Sequence, residues 1–280
     1  MSIGVMFLVL LAAFLHASWN ALVKASPDKF LDIMLVTAGA AFLAVLVLPF
    51  IPSPERESWP YLAASGAIHV VYFVLVGAVY RSGDMSYAYP LMRGTPPLLV
   101  AVVSGPLIGE HFSASGWGGI ALICGGILSL TFFQPGVSGA FGRTTGLVLV
   151  NVGMITCYTL VDGMGVRSSG NAVAYTMWVF LLSAVPIVFW ALLRRRKDTT
   201  RHFFSRWHFS LIGGCCTVGA YALVLWAMTH LPIAMVATLR ETAILFGMAI
   251  SALVLKERLG WHRYAGATAM MLGVIILKLV

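Results

Sequence analysis

Apolar runs of about twenty residues recur along almost the whole chain, and no other feature restricts the fold as tightly. A helix needs about 20 mostly apolar residues to cross the hydrocarbon core of a bilayer. The runs predict spans near 3–24, 31–51, 59–80, 84–108 and 115–134. A second set falls near 144–166, 172–193, 207–229, 232–255 and 261–279. Backbone polar groups must be satisfied inside lipid, which leaves helices or a closed barrel. These runs do not alternate as barrel strands do. The expected fold is therefore an all-α integral membrane protein with ten transmembrane helices. Charge agrees: only 10% of residues are charged, against roughly 25% in soluble domains. The first run has no Lys or Arg ahead of it and stays apolar to about Val23. It reads as a permanent first helix rather than a signal peptide.

Between the runs, Ile51-Pro52-Ser53-Pro54 and Gln134-Pro135-Gly136 close the second and fifth spans. The longest polar stretch, from Arg194 to Arg206, is expected to be a loop. A net charge of +8 would suggest nucleic acid in a soluble chain. Here the basic residues sit between spans, so they report topology instead. Loops after odd-numbered spans carry Lys24, Lys29, Arg81, Arg143, the Arg194–Lys197 cluster, Arg201, Arg206, Lys256, Arg258 and Arg263. The other side carries Arg56, Arg167 and Lys278. Lys and Arg concentrate in cytoplasmic loops, so both termini are expected to be extracytoplasmic. The expected location is a cell membrane, as a multi-pass protein of the bacterial inner membrane. Cys124, Cys157, Cys215 and Cys216 lie within apolar runs without metal-ligand spacing and read as small buried hydrophobes. No metal, cofactor or nucleic-acid partner is expected. No G-x-x-x-x-G-K-[ST] loop is present, so ATP is not the direct energy source.

The chain also matches itself. A shift of 147 positions superimposes Arg93 on Arg240, Thr95 on Thr242, Ser104 on Ser251 and Glu110 on Glu257. It also brings Gly119 onto Gly266 and Gly126 onto Gly273. A shift of 142 brings His16 onto Tyr158 and Asn20 onto Asp162. Paired arginines and glutamates at one offset are harder to dismiss than paired leucines. The expected units are 1–135 and 143–280, each with five spans. An odd number of spans inverts the second copy, and inverted repeats are a signature of secondary transporters.

With these features the sequence resembles the drug/metabolite transporter superfamily, specifically its EamA-like ten-helix members. The residues that carry the likeness are His16-Ala-Ser-Trp19-Asn20, Ala88 through Pro96, and Gly109-Glu110. Gly118-Gly119 and Gly125-Gly126, Leu255-Lys256-Glu257-Arg258-Leu259, Ala265-Gly266 and Gly273 complete the set. The resemblance implies a basket of ten helices around a cavity lined by spans 1, 3, 4, 6, 8 and 9. Spans 5 and 10 would pack at the back. It also implies export of amino acids, other metabolites or toxic compounds, by proton antiport in some members and facilitation in others. Ala243 stands where the first half has Pro96.

Candidate site residues follow from their depth in the spans. Arg93 lies about 14 Å into its span at 1.5 Å per residue, and Arg240 lies similarly deep from the opposite face. A buried arginine costs roughly 2.5–3.5 kcal/mol at a bilayer centre, so each should face protein or water. One reading makes them arms for a carboxylate or phosphonate, which a planar guanidinium grips with two parallel hydrogen bonds. The other makes them structural, with Glu241 or helix-end carbonyls neutralising Arg240. Asp162 shares a helix face with Tyr158, as Asn20 does with His16. Asp162 is a candidate for a substrate amine or a proton. Trp19, Tyr89 and the pair His69 and Tyr72 complete the candidate set, against the default of interfacial aromatic belts. Glu110 and Glu257 read as surface partners of basic residues.

The function these residues imply is secondary transport of a small polar or amphipathic metabolite bearing an acidic group. The protein would work as a monomer or homodimer in membrane lipid. The alternative is a membrane-embedded enzyme or lipid-handling protein, but no H-E-x-x-H or G-x-S-x-G motif supports it.

Overall fold

The computed structural model describes residues 1–24, 28–82, 85–132, 142–253, 256 and 260–280. The Gln134-Pro135-Gly136 turn and Glu257 lie outside them. Helix α1 spans Ile3–Lys24, α2 Lys29–Val47, α3 Trp59–Ser82, α4 Met85–Ile108, α5 Ala114–Phe132 and α6 Arg143–Arg167. Asp28 starts α2 by accepting a hydrogen bond from the Leu31 amide at 3.1 Å. Helix α4 stays continuous through Pro90, Pro96, Pro97 and Pro106.

The second repeat departs from expectation in two places. The first is a helical run of 57 residues, Ala172–Met228, where two spans and a loop were expected. It doubles back. The Thr199 hydroxyl donates to the Ala191 carbonyl at 3.4 Å, whereas residues eight apart on a straight helix stand about 12 Å apart. Its arms are α7 (Ala172–Leu193) and α8 (Thr199–Met228). The polar stretch expected as a loop is thus mostly helix. Lys and Arg are good helix formers, and Asp32 of α2 ties this segment down. Its carboxylate accepts from His202 Nε2 at 2.5 Å and pairs with Arg206 at 3.0 Å.

The second departure is the ninth span, expected to be continuous. It is two half-helices, α9 (Ile233–Arg240) and α10 (Ala243–Leu253). No proline causes the break. The amides of Glu241, Thr242, Ile244 and Leu245 bond three residues back instead of four. The hydroxyls of Thr238 and Thr242 take the carbonyls of Ala234 and Leu239, each at 2.7 Å. Such tight turns and back-bonding hydroxyls interrupt an α-helix. Helix α11 (Trp261–Leu279) ends the chain. Eight segments are long and apolar enough to cross a membrane among the described residues. With α5 and α11 they make the ten-helix, two-repeat architecture.

The inversion of the repeat shows where α5 meets α11. A Cβ on Gly126 would stand 2.7 Å from the Gly266 carbonyl oxygen, and one on Gly273 2.8 Å from that of Gly119. Gly126 therefore faces the repeat mate of Gly119, and Gly119 faces the mate of Gly126. That exchange is what a two-fold axis between antiparallel helices imposes. Small residues allow this backbone approach. The remaining packing keeps the same symmetry: α2 lies along both arms of the doubled helix, α3 packs on α6, and α1 on α8.

The largest apolar core sits toward the end of the bundle where α1 begins. It joins Val9, Leu62, Val100, Val166, Tyr175, Leu225, Met228 and Ile233. This core closes that end and leaves a cavity deeper in the bundle.

Candidate functional site

The cavity holds about 130 Å³. Its wall comes from α1 (Ala12, His16, Trp19), α2 (Ile33, Val36, Thr37), α3 (His69, Tyr72, Phe73), α4 (Arg93) and α6 (Tyr158). The wall continues through α7 (Val179, Phe180, Ser183), α8 (Thr217, Ala220, Tyr221, Val224) and α9 (Arg240). The expected lining helices are all present, but α2 and α7 contribute as well. Helices α5 and α11 stand behind, as expected.

Both arginines reach the cavity from opposite repeats, and one carboxylate serves both. Glu241 Oε2 is 2.9 Å from Arg93 Nε, and Glu241 Oε1 is 3.3 Å from an Arg240 amino nitrogen. Arg240 and Glu241 stand at the end of α9, where the helix breaks. Two cations against one anion leave one positive charge in excess. Donors are also in excess. Arg240 Nε is buried without a hydrogen-bond partner. Arg93 donates to His16 Nε2 at 2.9 Å, and Trp19 Nε1 donates to His16 Nδ1 at 3.3 Å. A neutral imidazole has one acceptor nitrogen, so the two contacts cannot both be satisfied. Arg93 Nε and Glu241 Oε2, though 2.9 Å apart, also lack an aligned hydrogen bond, so what the cluster holds in excess is positive charge.

Asp162 is placed differently from the expectation of a cavity carboxylate. It is fully buried behind the wall. Tyr175 donates to it at 3.1 Å, and Tyr221 donates to its other oxygen. Tyr158, one turn away, does line the cavity. Asn20 is not on the wall; its amide donates to the His16 carbonyl at 2.7 Å. Tyr89 also lies off the wall, with its ring 6.0 Å from the Arg93 guanidinium carbon. His69 and Tyr72 share a face as the spacing predicted, with ring centroids 6.4 Å apart.

Two residues that matter were not singled out. Tyr221 connects the cavity with Asp162, and Phe180 stacks edge-on against it at 5.8 Å. A mid-span tyrosine, too deep for an interfacial belt, is the signal that could have found Tyr221. Glu110 does pair with a basic residue, as expected, but it is not a solvated surface partner. Its side chain is only 8% exposed, and it accepts from the Ile233 amide at 2.8 Å, capping α9. Arg167 pairs with it at 2.8 Å and also donates to the carbonyls of Met228 and Leu231. The sequence showed Glu110 beside a span end. Only the fold shows which helix end it meets.

The pattern of the EamA-like transporter family matches residues 3–132 and again 144–279. The chain belongs to the EamA-like transporter family. It is thus a membrane transporter of the drug/metabolite type, with a small-molecule substrate. A solved structure described only as "Crystal structure of protein" shares the fold with a TM-score of 0.74 at 15% identity. The match covers 98% of this chain and 95% of that one. No curated protein matches the chain.

Proposed function

We propose that this EamA-like protein is a secondary transporter that exports a small metabolite through its acidic group by alternating access. The observation that carries this reading is the pair of buried arginines sharing one glutamate beside a cavity. A carboxylate or phosphonate entering there supplies the missing negative charge and an acceptor for the unpartnered Arg240 Nε. The proposed orientation puts the cavity's closed end outside the cell, so this conformation suits loading from the cytoplasm. We place the protein in the bacterial inner membrane on the same charge asymmetry. Membership in a transporter family argues against the enzyme or lipid-handling alternative. For coupling, Asp162 is the candidate proton carrier, with Tyr221 linking it to the cavity. Carrying a proton needs no direct contact between Asp162 and substrate.

The test is a ligand screen on protein in lipid nanodiscs. A ligand at a hundred times its Kd stabilises the folded state by about 2.7 kcal/mol. Organic acids should raise Tm, and Arg93→Lys or Arg240→Lys should weaken the best of them at least tenfold. Lysine keeps the charge but loses the planar fork. Unchanged affinity in both folded variants would make the arginines structural.

A further inference from the structure

The cavity wall has a second character that the arginines do not explain. Away from them it is built of rings. Tyr158 is the centre, with His69 at 4.5 Å and Tyr72 at 5.6 Å between centroids. Tyr221 lies 6.4 Å from His69 and carries Phe180 edge-on at 5.8 Å. Phe73 lines the same space and touches Tyr72 at 5.1 Å. These rings come from α3, α6, α7 and α8, hence from both repeats. Rings in mixed tilted and edge-on attitudes offer both faces and edges to a guest ring.

Such a box could also attract a cation, but the charges nearby decide against one. No aspartate or glutamate lines the cavity among the described residues. Asp162 and Glu241 are outside the wall and are engaged, Asp162 by two tyrosines and Glu241 by two arginines. A substrate ammonium would meet two guanidiniums and no counter-charge. The volume of about 130 Å³ is well below that of drug-sized pockets, at roughly 300–1,000 Å³. It suits one ring with one acidic group.

We propose that the site takes a compact aromatic or conjugated organic acid without an amine, its acid on Arg93 and Arg240 and its ring among His69, Tyr72, Tyr158 and Phe180. This rests on the acid-transport reading above and narrows it.

The experiment titrates four probes into the full-length protein in nanodiscs: benzoate, cyclohexanecarboxylate, propionate and phenylalanine. Benzoate should bind tightest. Cyclohexanecarboxylate matches it in charge and closely in size but has no π face. It should bind about two- to twelvefold more weakly, in line with about 0.5–1.5 kcal/mol for an aromatic pair. Phenylalanine adds an ammonium and should bind at least tenfold more weakly than benzoate. Phe180→Leu should weaken benzoate more than cyclohexanecarboxylate, because only benzoate loses a ring–ring contact. Equal binding of the two ring acids, or tighter binding of phenylalanine, would overturn the inference while leaving an acid site intact. Failure of all the acids would instead sink the acid-transport reading. The ligand comparison on the unmutated protein holds even where a variant fails to fold.

Discussion

Glu110 offers the sharpest single perturbation, because one side chain closes one end of the bundle. It caps α9 from the α4–α5 connection and holds Arg167 at the end of α6, while Arg167 holds the end of α8. Glu110→Ala removes a helix cap, worth about 1 kcal/mol. It also removes a charge-assisted hydrogen bond, worth about 1.5–3 kcal/mol when buried. Arg167 is 35% exposed, so solvent screening reduces the second contribution to about 1 kcal/mol. Arg167 keeps two carbonyl partners and is not orphaned. The sum is about 2 kcal/mol. At about 2–4 °C per kcal/mol for a chain near this size, Tm should fall by about 4–8 °C. Glu110→Gln keeps an oxygen for the Ile233 amide and should lose about half as much. The same contacts tie together helix ends at the closed end of the bundle, which faces outside in the proposed orientation. Their loss should favour opening there by roughly 30-fold, since 1.4 kcal/mol is a factor of about ten. A cysteine at Val224, which lines the cavity and is 1% exposed, reports this. In a background with the native cysteines replaced, an impermeant maleimide should label Val224→Cys from outside much faster when Glu110 is mutated. Unchanged Tm and unchanged labelling would refute the argument that Glu110 closes this end.

Asp162→Asn should leave substrate-for-substrate exchange in liposomes intact and abolish accumulation driven by a pH gradient. Loss of both together would make Asp162 part of the binding site. Gly126→Ala should destabilise the protein by about 1–3 kcal/mol in a thermal melt, because the new methyl meets the Gly266 backbone, which cannot rotate away. Gly125→Ala, with open space around it, is the control and should be near neutral. A reporter active only in the periplasm should work when fused after Val280, and a cytoplasmic one should be silent. The opposite pattern would invert the assigned topology.

The two arginines were legible as candidates because burying a guanidinium in lipid is costly enough to mark it in any sequence. Their shared partner was half legible: Glu241 stood next to Arg240, but its hold on Arg93 comes from the packing of α4 against α9. The break after α9 had no proline to announce it. It rests on Thr238 and Thr242 hydroxyls whose preference for their own backbone depends on what packs around them. Asp162 was correctly marked as unusual, yet its position behind Tyr221 was invisible, because a single-helix pattern gives a face and not what stands in front of it.

Length and apolarity of the runs alone determined the ten spans, since a bilayer demands about 20 apolar residues per crossing whatever surrounds them. The repeat offset and the odd number of spans determined the inversion, which the Gly119, Gly126, Gly266 and Gly273 contacts then display. Tertiary structure decided where α7 turns back, which helix Glu110 caps and which rings meet Tyr158. Those outcomes depend on contacts between residues tens to more than a hundred positions apart. A local pattern records what each segment can do in lipid, and only packing selects its neighbour.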